Sequence, residues 1–420
     1  MKKISVVLIV SLLCLLMFGA LGFNVSGSQS TADWPMFHQN LMHSGYSTST
    51  VPDTNSTSWT YTTGYSVYSS PAVANGTVYV GSDDGNIYAL NATTGSSLWT
   101  YSTYGSVQSS PAVANGMVIV GSDDYNVYAL DATTGASIWN YTTNGPVESS
   151  PAVANGTVYV GSVDGNLYAL SEFPTVPTGN LLWSYYALGA FDSCPAVVDG
   201  VVYVGSVNGS IFALSASSGK PIWNYATGGQ VESSPAVANG LVFVGSEDRR
   251  VYALNSSTGA LVWEYSTDAG IYSSPAVAGG IVYIGSEDAS VYALNASTGD
   301  YVWSFTTDGA VYSSPTVAGG LVFVGSTDDA VYAMNASNGY YVWSYTTGDE
   351  VWSSPAVANG RVYVGSDDNE IYAFGVSSGT SAISQVLTYA VIIVVIIVLI
   401  AVVAILYLAI RGRRQERTPI

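Results

Sequence analysis

Tryptophan recurs through most of this chain at intervals of 40 residues, with a single interval of 44. Proline follows the same period, always twelve residues after a tryptophan. A period of this length indicates a repeat architecture, because one such unit cannot bury its apolar face without a neighbour. Eight units are present, and their tryptophans are Trp59, Trp99, Trp139, Trp183, Trp223, Trp263, Trp303 and Trp343.

Each repeat contains four short runs rich in Val, Ile, Tyr and Trp, separated by turn residues. In the second unit the turns are Asn115-Gly116, Asp123-Asp124 and Thr134-Gly135. This pattern is typical of strands joined by tight turns, and Asn-Gly favours a two-residue hairpin because both residues can adopt positive φ. We name the predicted strands A (Ser-Pro-Ala-Val), B (Val-Tyr-Val-Gly), C (Ile-Tyr-Ala-Leu) and D (Leu-Trp-x-Tyr).

Four antiparallel strands in about 40 residues, repeated eight times, predict an all-β, eight-bladed β-propeller; an open β-solenoid is the alternative. The ends of the repeat region favour the closed ring. Trp59 precedes the first A strand, whereas the last unit ends at Tyr372-Ala373-Phe374 with no tryptophan after it. An N-terminal D strand would complete the C-terminal blade and remove its open edge.

Two long apolar runs flank the repeats. The run from Ile4 to Leu21 follows Met1-Lys2-Lys3 and resembles a secretory signal; an uncleaved N-terminal anchor is the alternative. Residues 386–410 carry no charge and are long enough to cross a bilayer core of about 30 Å, with a buried core helix as the alternative. Basic residues after this run favour a cytoplasmic tail. They are Arg411, Arg413, Arg414 and Arg417.

We therefore expect six segments and a single-pass protein of the cell membrane, with the propeller outside and the C-terminus in the cytoplasm. The segments are a signal peptide (1–27), a lead-in arm (28–58), the propeller (59–379), a linker (380–385), a transmembrane helix (386–410) and a basic cytoplasmic tail (411–420).

The charge balance is strongly acidic. The whole chain has 29 acidic and 10 basic residues, and only Lys220, Arg249, Arg250 and Arg361 of the basic ones lie between the two ends. A field of this sign repels phosphate backbones, so nucleic acid is not an expected partner.

The units resemble those of the pyrroloquinoline-quinone-like (PQQ-like) β-propeller repeat family, whose blades end in a Thr-Gly turn followed by a tryptophan that packs between neighbouring blades. The segment Asp33-Trp34-Pro35-Met36-Phe37-His38-Gln39-Asn40, continuing to His43-Ser44-Gly45-Tyr46-Ser47, is similar to one that often precedes such propellers. The resemblance covers residues 33–379 and implies the fold. It leaves activity open, because the family includes quinoprotein dehydrogenases, a scaffold lipoprotein of bacterial outer-membrane assembly and surface proteins without known chemistry.

A quinoprotein dehydrogenase of this family would have an adjacent-cysteine disulfide, a Ca²⁺ site and a tryptophan beneath the quinone. Cys194 stands alone where other repeats have serine, and we expect a small buried side chain there. His38 and His43 are the only histidines, and we expect them to be polar residues of a packed arm. No cofactor is predicted; PQQ or Ca²⁺ is the alternative.

The residue before Ser-Ser-Pro varies most between repeats. Because strand A is innermost in a propeller, we expect this residue at the opening of the central channel, aromatic in units 6, 7, 8 and 1 and acidic or amide in units 2 to 5. Such a central funnel would suit a cation, a sugar or a basic peptide side chain; loosely constrained loop tips are the alternative. The eight residues are Tyr68, Gln108, Glu148, Asp192, Glu232, Tyr272, Tyr312 and Trp352.

Two further sets of polar residues lie in predicted turns. Aspartates between strands B and C commonly cap their own backbone, and a weak site for Ca²⁺ or another cation is the alternative. The metal candidates are Asp83, Asp84, Asp123, Asp124, Asp367 and Asp368. On the opposite face, Asn-x-Ser/Thr sequences provide glycan acceptors in principle, although good turns also produce them. These are Asn75, Asn91, Asn155, Asn255, Asn295 and Asn335.

The leading hypothesis from the sequence is a non-enzymatic cell-surface module for binding, adhesion or scaffolding, anchored to the cytoplasmic membrane. Its expected partner is an extracellular protein, a glycan or a cationic ligand. The alternatives are a quinone- or Ca²⁺-dependent dehydrogenase that uses the funnel, and a docking subunit of a membrane-bound assembly. The sequence leaves the ligand and the oligomeric state open.

Overall fold

The computed structural model describes residues 33–52, 54–176 and 178–375. These residues form eight β-sheets that follow one another along the chain, which we number as blades 1 to 8. The expected signal peptide, transmembrane helix and basic tail lie outside the described residues. Within the described part, no helix is long and apolar enough to cross a membrane.

Each blade has four antiparallel strands in the order A-B-C-D, and blade 7 has one additional strand. The A strands are β3 (Ala72–Ala74), β7 (Ala112–Ala114), β11 (Ala152–Ala154), β15 (Ala196–Val198), β19 (Ala236–Ala238), β23 (Ala276–Ala278), β27 (Thr316–Ala318) and β31 (Ala356–Ala358). The B strands are β4 (Thr77–Gly81), β8 (Met117–Gly121), β12 (Thr157–Gly161), β16 (Val201–Ser206), β20 (Leu241–Ser246), β24 (Ile281–Ser286), β28 (Leu321–Ser326) and β32 (Arg361–Gly365). The C strands are β5 (Asn86–Asn91), β9 (Asn126–Asp131), β13 (Asn166–Ser171), β17 (Ser210–Ser215), β21 (Arg250–Asn255), β25 (Ser290–Asn295), β29 (Ala330–Asn335) and β33 (Glu370–Phe374). The D strands are β6 (Ser97–Ser102), β10 (Ser137–Thr142), β14 (Leu181–Tyr186), β18 (Pro221–Ala226), β22 (Leu261–Ser266), β26 (Tyr301–Thr306), β30 (Tyr341–Thr346) and, for blade 8, β2 (Thr57–Thr62). The additional strand of blade 7 is β1 (Tyr46–Ser47).

The ring closes through the N-terminal strand, as the position of Trp59 predicts. Strand β2 pairs antiparallel with β33, and Trp59 lies opposite Ala373 in the register. The innermost strands of successive blades lie side by side, including β3 of the first blade and β31 of the last. The predicted closed, eight-bladed propeller is therefore confirmed.

The repeating tryptophan joins each blade to the next one. The indole Nε1 of Trp99 donates a hydrogen bond of 3.1 Å to the carbonyl of Ala132 in blade 2, and the hydroxyl of Tyr79 donates to the same oxygen at 3.0 Å. Gly135 has a φ of 72°, and a Cβ at this position would lie 2.7 Å from the indole of Trp99. The Thr-Gly turn thus needs glycine both for its backbone conformation and for contact with the ring.

A second set of contacts between blades uses the Ser-Ser pair before each proline. The backbone N–H of Ser70 donates to the hydroxyl of Ser110 in the next blade at 2.9 Å, and the same bond recurs around the ring until Ser354 donates to Ser70 at 2.9 Å. In blade 4 the thiol of Cys194 replaces the hydroxyl and accepts from the N–H of Ser150 at 3.3 Å. Burial raises the pKa of the Cys194 thiol, which keeps it neutral.

The lead-in arm lies inside the ring, along the free edges of the innermost strands. Backbone carbonyls of the arm accept hydrogen bonds from the central valine of strand A in blades 1, 2, 4, 5, 6 and 7. The arm thereby pairs backbone N–H groups at the inner strand edges that would otherwise have no hydrogen-bond partner. The pairs are Trp34 with Val73, Pro35 with Val113, Leu41 with Val197, Met42 with Val237, Ser44 with Val277 and Gly45 with Val317.

Both histidines of the arm are buried and neutral. Burial, the largest effect for each, lowers the pKa of His38 to about 3 and that of His43 to about 4. The ring of Phe37 stacks on His38 with centroids 4.5 Å apart and meets His43 edge-on. Nδ1 of His43 lies 3.1 Å from the carbonyl oxygen of Pro235, which fits an N–H donor at that nitrogen.

Gly259 and Gly240 allow packing against tryptophan to be separated from backbone strain. Both have positive φ, 71° and 76°, but a Cβ at Gly259 would lie 2.7 Å from Trp223, whereas one at Gly240 would meet nothing within 4 Å. We expect Gly240→Ala to lower the free energy of unfolding by about 1 kcal/mol. We expect Gly259→Ala to lower it by about 2 to 4 kcal/mol, because overpacking adds to the strain. Urea unfolding measures both losses, and equal losses would contradict this account of Gly259.

Cys194 tests the hydrogen-bonded ring of Ser-Ser pairs. Cys194→Ser restores the acceptor found in the other blades, so we expect the free energy of unfolding to stay the same or rise. Cys194→Ala leaves the N–H of Ser150 buried without this acceptor and is expected to lower it by about 1 to 3 kcal/mol. Thermal unfolding of the two variants decides the point, and an alanine variant as stable as the serine variant would count against the ring.

Candidate functional site

The predicted funnel residues occupy equivalent places in the eight blades, each in the connection that leads into a strand A. Each is half-buried and follows a buried apolar residue, as Glu232 follows Val231. Successive residues of an extended chain point in opposite directions, so the side chain of Val231 packs in the blade core while that of Glu232 lies on the channel side. The next two residues are the buried Ser-Ser pair, which fixes the backbone beside the funnel.

Four aromatic side chains form a continuous arc on blades 6, 7, 8 and 1. The rings of Tyr312 and Trp352 stack with centroids 4.0 Å apart and an interplanar angle of 2°. Tyr272 meets Tyr312 edge-on at 5.4 Å, and Tyr68 meets Trp352 in the same way at 6.0 Å. We name Tyr272, Tyr312, Trp352 and Tyr68 the aromatic arc.

Each member of the aromatic arc has a carboxylate beside its polar group. The hydroxyl of Tyr312 donates to Glu287 at 3.1 Å, and the indole N–H of Trp352 donates to Glu350 at 2.7 Å. Burial, followed by the carboxylate of Asp367, raises the pKa of Tyr68, and the carboxylate of Glu247, followed by burial, raises the pKa of Tyr272. The partners Glu247, Glu287 and Asp367 occupy the first acidic position of their turns between strands B and C, so these turns contribute to the funnel wall.

The opposite side of the funnel is acidic and poorly compensated. Burial, followed by repulsion from Asp192, Glu247 and Glu148, raises the pKa of Glu232 to about 7. Burial is also the largest cause of the raised pKa values of Glu148 and Asp192. These side chains therefore hold their negative charge at an energetic cost, and a nearby cation would reduce it. We name Glu148, Asp192, Glu232 and Asp123 the acidic arc.

Asp123 brings a turn residue into the acidic arc. Its pKa is raised to about 6 by burial and then by Glu148, Asp83 and Asp124. In the neighbouring pair of blades the corresponding residues are Asp83 and Gln108, and burial is the largest cause of the raised pKa of Asp83. Asp83 therefore has an amide side chain beside it, whereas Asp123 faces a second carboxylate, that of Glu148.

Of the four described basic residues, Arg249 and Arg250 lie at the funnel end of blade 5, and the other two lie at the opposite end of the ring. Arg250 begins strand β21 and forms an ion pair of 3.7 Å with Glu264 on the outermost strand of blade 5. Lys220 is in the turn before strand β18, and Arg361 begins strand β32, both at the end of the ring opposite the funnel. Arg249 is exposed in the turn after strand β20.

The aspartate at the second position of the turn between strands B and C, present in every blade except blade 4, is held by the fold. Oδ2 of Asp84 accepts from the hydroxyl of Tyr88 at 2.6 Å and from the backbone N–H of Gly64 at 2.7 Å, and Oδ1 accepts from the N–H of Asn86 at 2.9 Å. Asp124 and Asp368 make the equivalent contacts. Of the six metal candidates, the other three, Asp83, Asp123 and Asp367, face the funnel.

No metal-binding cluster is evident in the described residues: they contain no group of three or more His, Cys, Asp and Glu side chains that could hold a metal ion. The asparagines of the predicted glycan acceptors fall into two structural classes. Asn75 and Asn155 are exposed in turns between strands A and B. In the other four, the side-chain oxygen accepts backbone N–H groups of its own turn; these are Asn91, Asn255, Asn295 and Asn335.

Comparisons with known proteins agree with this fold. A family model described as outer membrane protein assembly factor BamB matches residues 48–172, 174–275, 266–351 and 317–397. The crystal structure of BamB from Moraxella catarrhalis superposes with a TM-score of 0.67 at 19% identity, over 76% of this chain and 99% of that one. A europium-containing methanol dehydrogenase superposes with a TM-score of 0.71 at 16% identity, over 82% of this chain and 98% of that one. A quinohemoprotein alcohol dehydrogenase from Comamonas testosteroni superposes with a TM-score of 0.70 at 16% identity, over 82% of this chain and 80% of that one. No curated protein sequence matches the chain.

The raised pKa of Glu232 predicts how its contribution to stability depends on pH. A raised native pKa means that the contribution is fully present below the unfolded pKa of about 4.3 and is lost as the pH rises through about 7. Glu232→Gln removes the ionisation, so the stability of the variant relative to the natural protein should increase between pH 4.5 and pH 8. We expect a change of about 1 to 2 kcal/mol, because partial exposure screens the charge. Chemical unfolding at several pH values measures it, and a constant difference would refute the prediction.

Proposed function

Because the chain belongs to the PQQ-like β-propeller repeat family, the family of the BamB model, we propose that it is a non-enzymatic binding or scaffold module whose funnel receives cationic groups of a partner protein. The observation that carries this proposal is the composition of the funnel. Carboxylates with raised pKa values line one side of it, and a continuous aromatic surface lines the other side.

The two sides of the funnel suit the same kind of ligand for different reasons. Carboxylates attract lysine and arginine side chains by charge-assisted hydrogen bonds. Aromatic faces attract the same cations through their quadrupole, most strongly where water is excluded. Carboxylates that accept hydrogen bonds from the aromatic arc, such as Glu350 from Trp352, keep negative charge close to these rings. A basic segment of a partner protein satisfies both sides at once.

We extend the proposal to the location of the protein. The described chain leaves the propeller after strand β33, at the end of the blade opposite the funnel. A transmembrane helix at residues 386–410 would then hold that face towards the membrane, and the funnel would face outwards to partners at the cell surface. A docking role in a membrane-bound assembly uses the same geometry.

The dehydrogenase alternative fits the funnel less well. PQQ carries three carboxylates, and an anion of this kind would be repelled by the acidic arc. We therefore derive no redox step for this chain. The oxidoreductases that share its fold do so at 16% identity, which is a likeness of fold alone.

Binding of a basic peptide to the full-length protein tests this function. We expect hexa-arginine to bind in isothermal titration calorimetry and hexa-glutamate not to bind. Glu232→Gln and Trp352→Leu should each weaken binding of hexa-arginine about tenfold, and added salt should weaken it further through screening. Asp300→Asn is the matched control, since it removes a carboxylate from a turn between strands C and D on the opposite face.

Equal affinity of both funnel variants and the natural protein for hexa-arginine would refute the proposed site. A loss in the control variant equal to that in Glu232→Gln would reduce the effect to net charge and would also reject it.

A further inference from the structure

Blade 3 has a connection between strands C and D that is longer than those of the other blades. It runs over residues 172–180, between β13 and β14, whereas the equivalent connection in blade 2 runs over residues 132–136. The backbone carbonyl of the first residue in this connection accepts a hydrogen bond from the tryptophan of the preceding blade. Here the residue is Glu172, and its carbonyl accepts from the indole N–H of Trp139 at 3.0 Å. The equivalent position is small in the other described connections, where it is Ala92, Ala132, Ala216, Ser256, Ala296 or Ala336. A carboxylate and a longer loop therefore occur together at one junction of the ring.

The carboxylate of Glu172 is almost fully buried and only half satisfied. The residue is 1% exposed. Its Oε1 accepts a hydrogen bond of 2.6 Å from the side-chain amide of Asn115 in blade 2. Its Oε2 is also buried and has no hydrogen-bond partner among the described residues. An unpaired carboxylate oxygen in an apolar environment is destabilising, so a donor that reaches Oε2 would gain much more here than at the surface.

The longer loop and the outer strand of blade 2 border an open cavity beside this carboxylate. Its volume is about 300 Å³, near the lower end for small-molecule sites. Glu172 lines it, and the rest of the lining is chiefly apolar. Phe173 and Val176 are 61% and 46% exposed, which leaves apolar surface open at its edge. The apolar lining residues are Met117, Ile138, Trp139, Phe173, Pro174 and Val176.

We propose that this cavity binds a primary ammonium group on an aliphatic chain, as in a lysine side chain of a partner. The cavity borders a carboxylate with one unsatisfied oxygen, because Asn115 already occupies Oε1. A guanidinium group gains most from two parallel bonds to both oxygens of a carboxylate, whereas an ammonium group is a compact donor that one oxygen can orient. The apolar walls would contact the methylene groups of the ligand.

This site is independent of the funnel. Glu172 and the longer loop lie at the strand ends opposite the funnel, between blades 2 and 3. Binding of hexa-arginine to the funnel can therefore fail while this site persists, and the reverse outcome is equally distinguishable.

A methyl group inside the cavity provides a local readout. The sequence has six methionines, and Met117 lines the cavity, whereas Met36, Met42 and Met334 lie elsewhere. In the full-length protein labelled with ¹³C-methyl methionine, we expect n-butylammonium to shift the Met117 resonance saturably and n-butanol to leave it unchanged. Affinity should rise about fourfold for each methylene from methylammonium to n-butylammonium, since each adds buried apolar surface. Nα-acetyl-lysine N-methylamide, titrated in parallel, represents the protein-borne group; tighter binding than n-butylammonium identifies a lysine side chain, and weaker binding a free amine.

Two variants test the role of Glu172. We expect Glu172→Gln to weaken n-butylammonium binding at least tenfold, because it removes the negative charge while keeping the shape. Glu264→Gln, which removes an exposed carboxylate on the outer strand of blade 5, should leave the Met117 titration unchanged. Val176→Lys places a tethered ammonium group at the edge of the cavity, so its Met117 resonance should not respond to n-butylammonium. Because Val176→Lys changes an exposed side chain, it still tests the site if Glu172→Gln does not fold.

Three results would overturn the proposal. The first is a Met117 resonance that does not move with n-butylammonium, and the second is an equal response to n-butanol. The third is an unchanged titration in Glu172→Gln or in Val176→Lys, which would leave Glu172 as a structural partner of Asn115 alone.

Discussion

The other features of the ring depend on one hydrogen bond that recurs between blades. In it, the backbone N–H of the second serine of a Ser-Ser pair donates to the side chain at the equivalent position of the next blade. It fixes the height of each blade relative to its neighbour at the point nearest the axis, where an error would propagate around the whole circle. The bond from Ser70 to Ser110 is followed by equivalent bonds in every junction, and Ser354 returns it to Ser70. Because the first serine of each pair also accepts from its own strand B, as Ser69 does from Gly81, the pair joins the inside of a blade to the next blade. Eight blades are thus linked in a closed circuit, and opening it at any one junction would leave both a donor and an acceptor without a partner.

This circuit also explains why the side chains that line the funnel can vary without disturbing the fold. The residue before each Ser-Ser pair makes none of the contacts between blades described for the serines and the tryptophans. Its backbone is nevertheless held by the buried residue before it and the bonded serines after it. Substitutions there change the chemistry of the funnel while the scaffold stays constant, which is how Trp352 and Glu232 occupy equivalent positions. The rigid support means that a ligand would find the funnel already shaped.

The sequence was sufficient for the architecture because the features that determine it recur every 40 residues. Trp59 predicted the closing strand, and the aligned position before Ser-Ser-Pro identified a set of side chains of which four contact one another as the aromatic arc. Three features could not be predicted, since each depends on pairing over long distances or on a single departure from the repeat. The sequence predicts strand A as Ser-Pro-Ala-Val, whereas strand A begins after the proline and the serine before it bonds to the next blade, a contact that leaves no local signal. The path of the lead-in arm depends on the arrangement of the inner strand edges around one axis, which exists only in the closed ring. Glu350 as the partner of Trp352, and Glu172 beneath its loop, were visible only as residues that break the pattern.

The arm inside the ring has a consequence for the order in which the molecule is assembled. It precedes blade 1 in the chain, yet its carbonyls bond to strands that follow it by up to about 270 residues. Gly45, for example, accepts from Val317. Strand β2 can pair only after β33, the last strand of the ring, has been synthesised. Contacts over such separations form slowly, because loop-closure entropy must be overcome before they contribute. Blades 1 to 7 can form as local units while the chain emerges, but the ring cannot close until the last blade exists. An interrupted or truncated chain would therefore expose the inner edges of all its blades at once, and these edges are templates for aggregation.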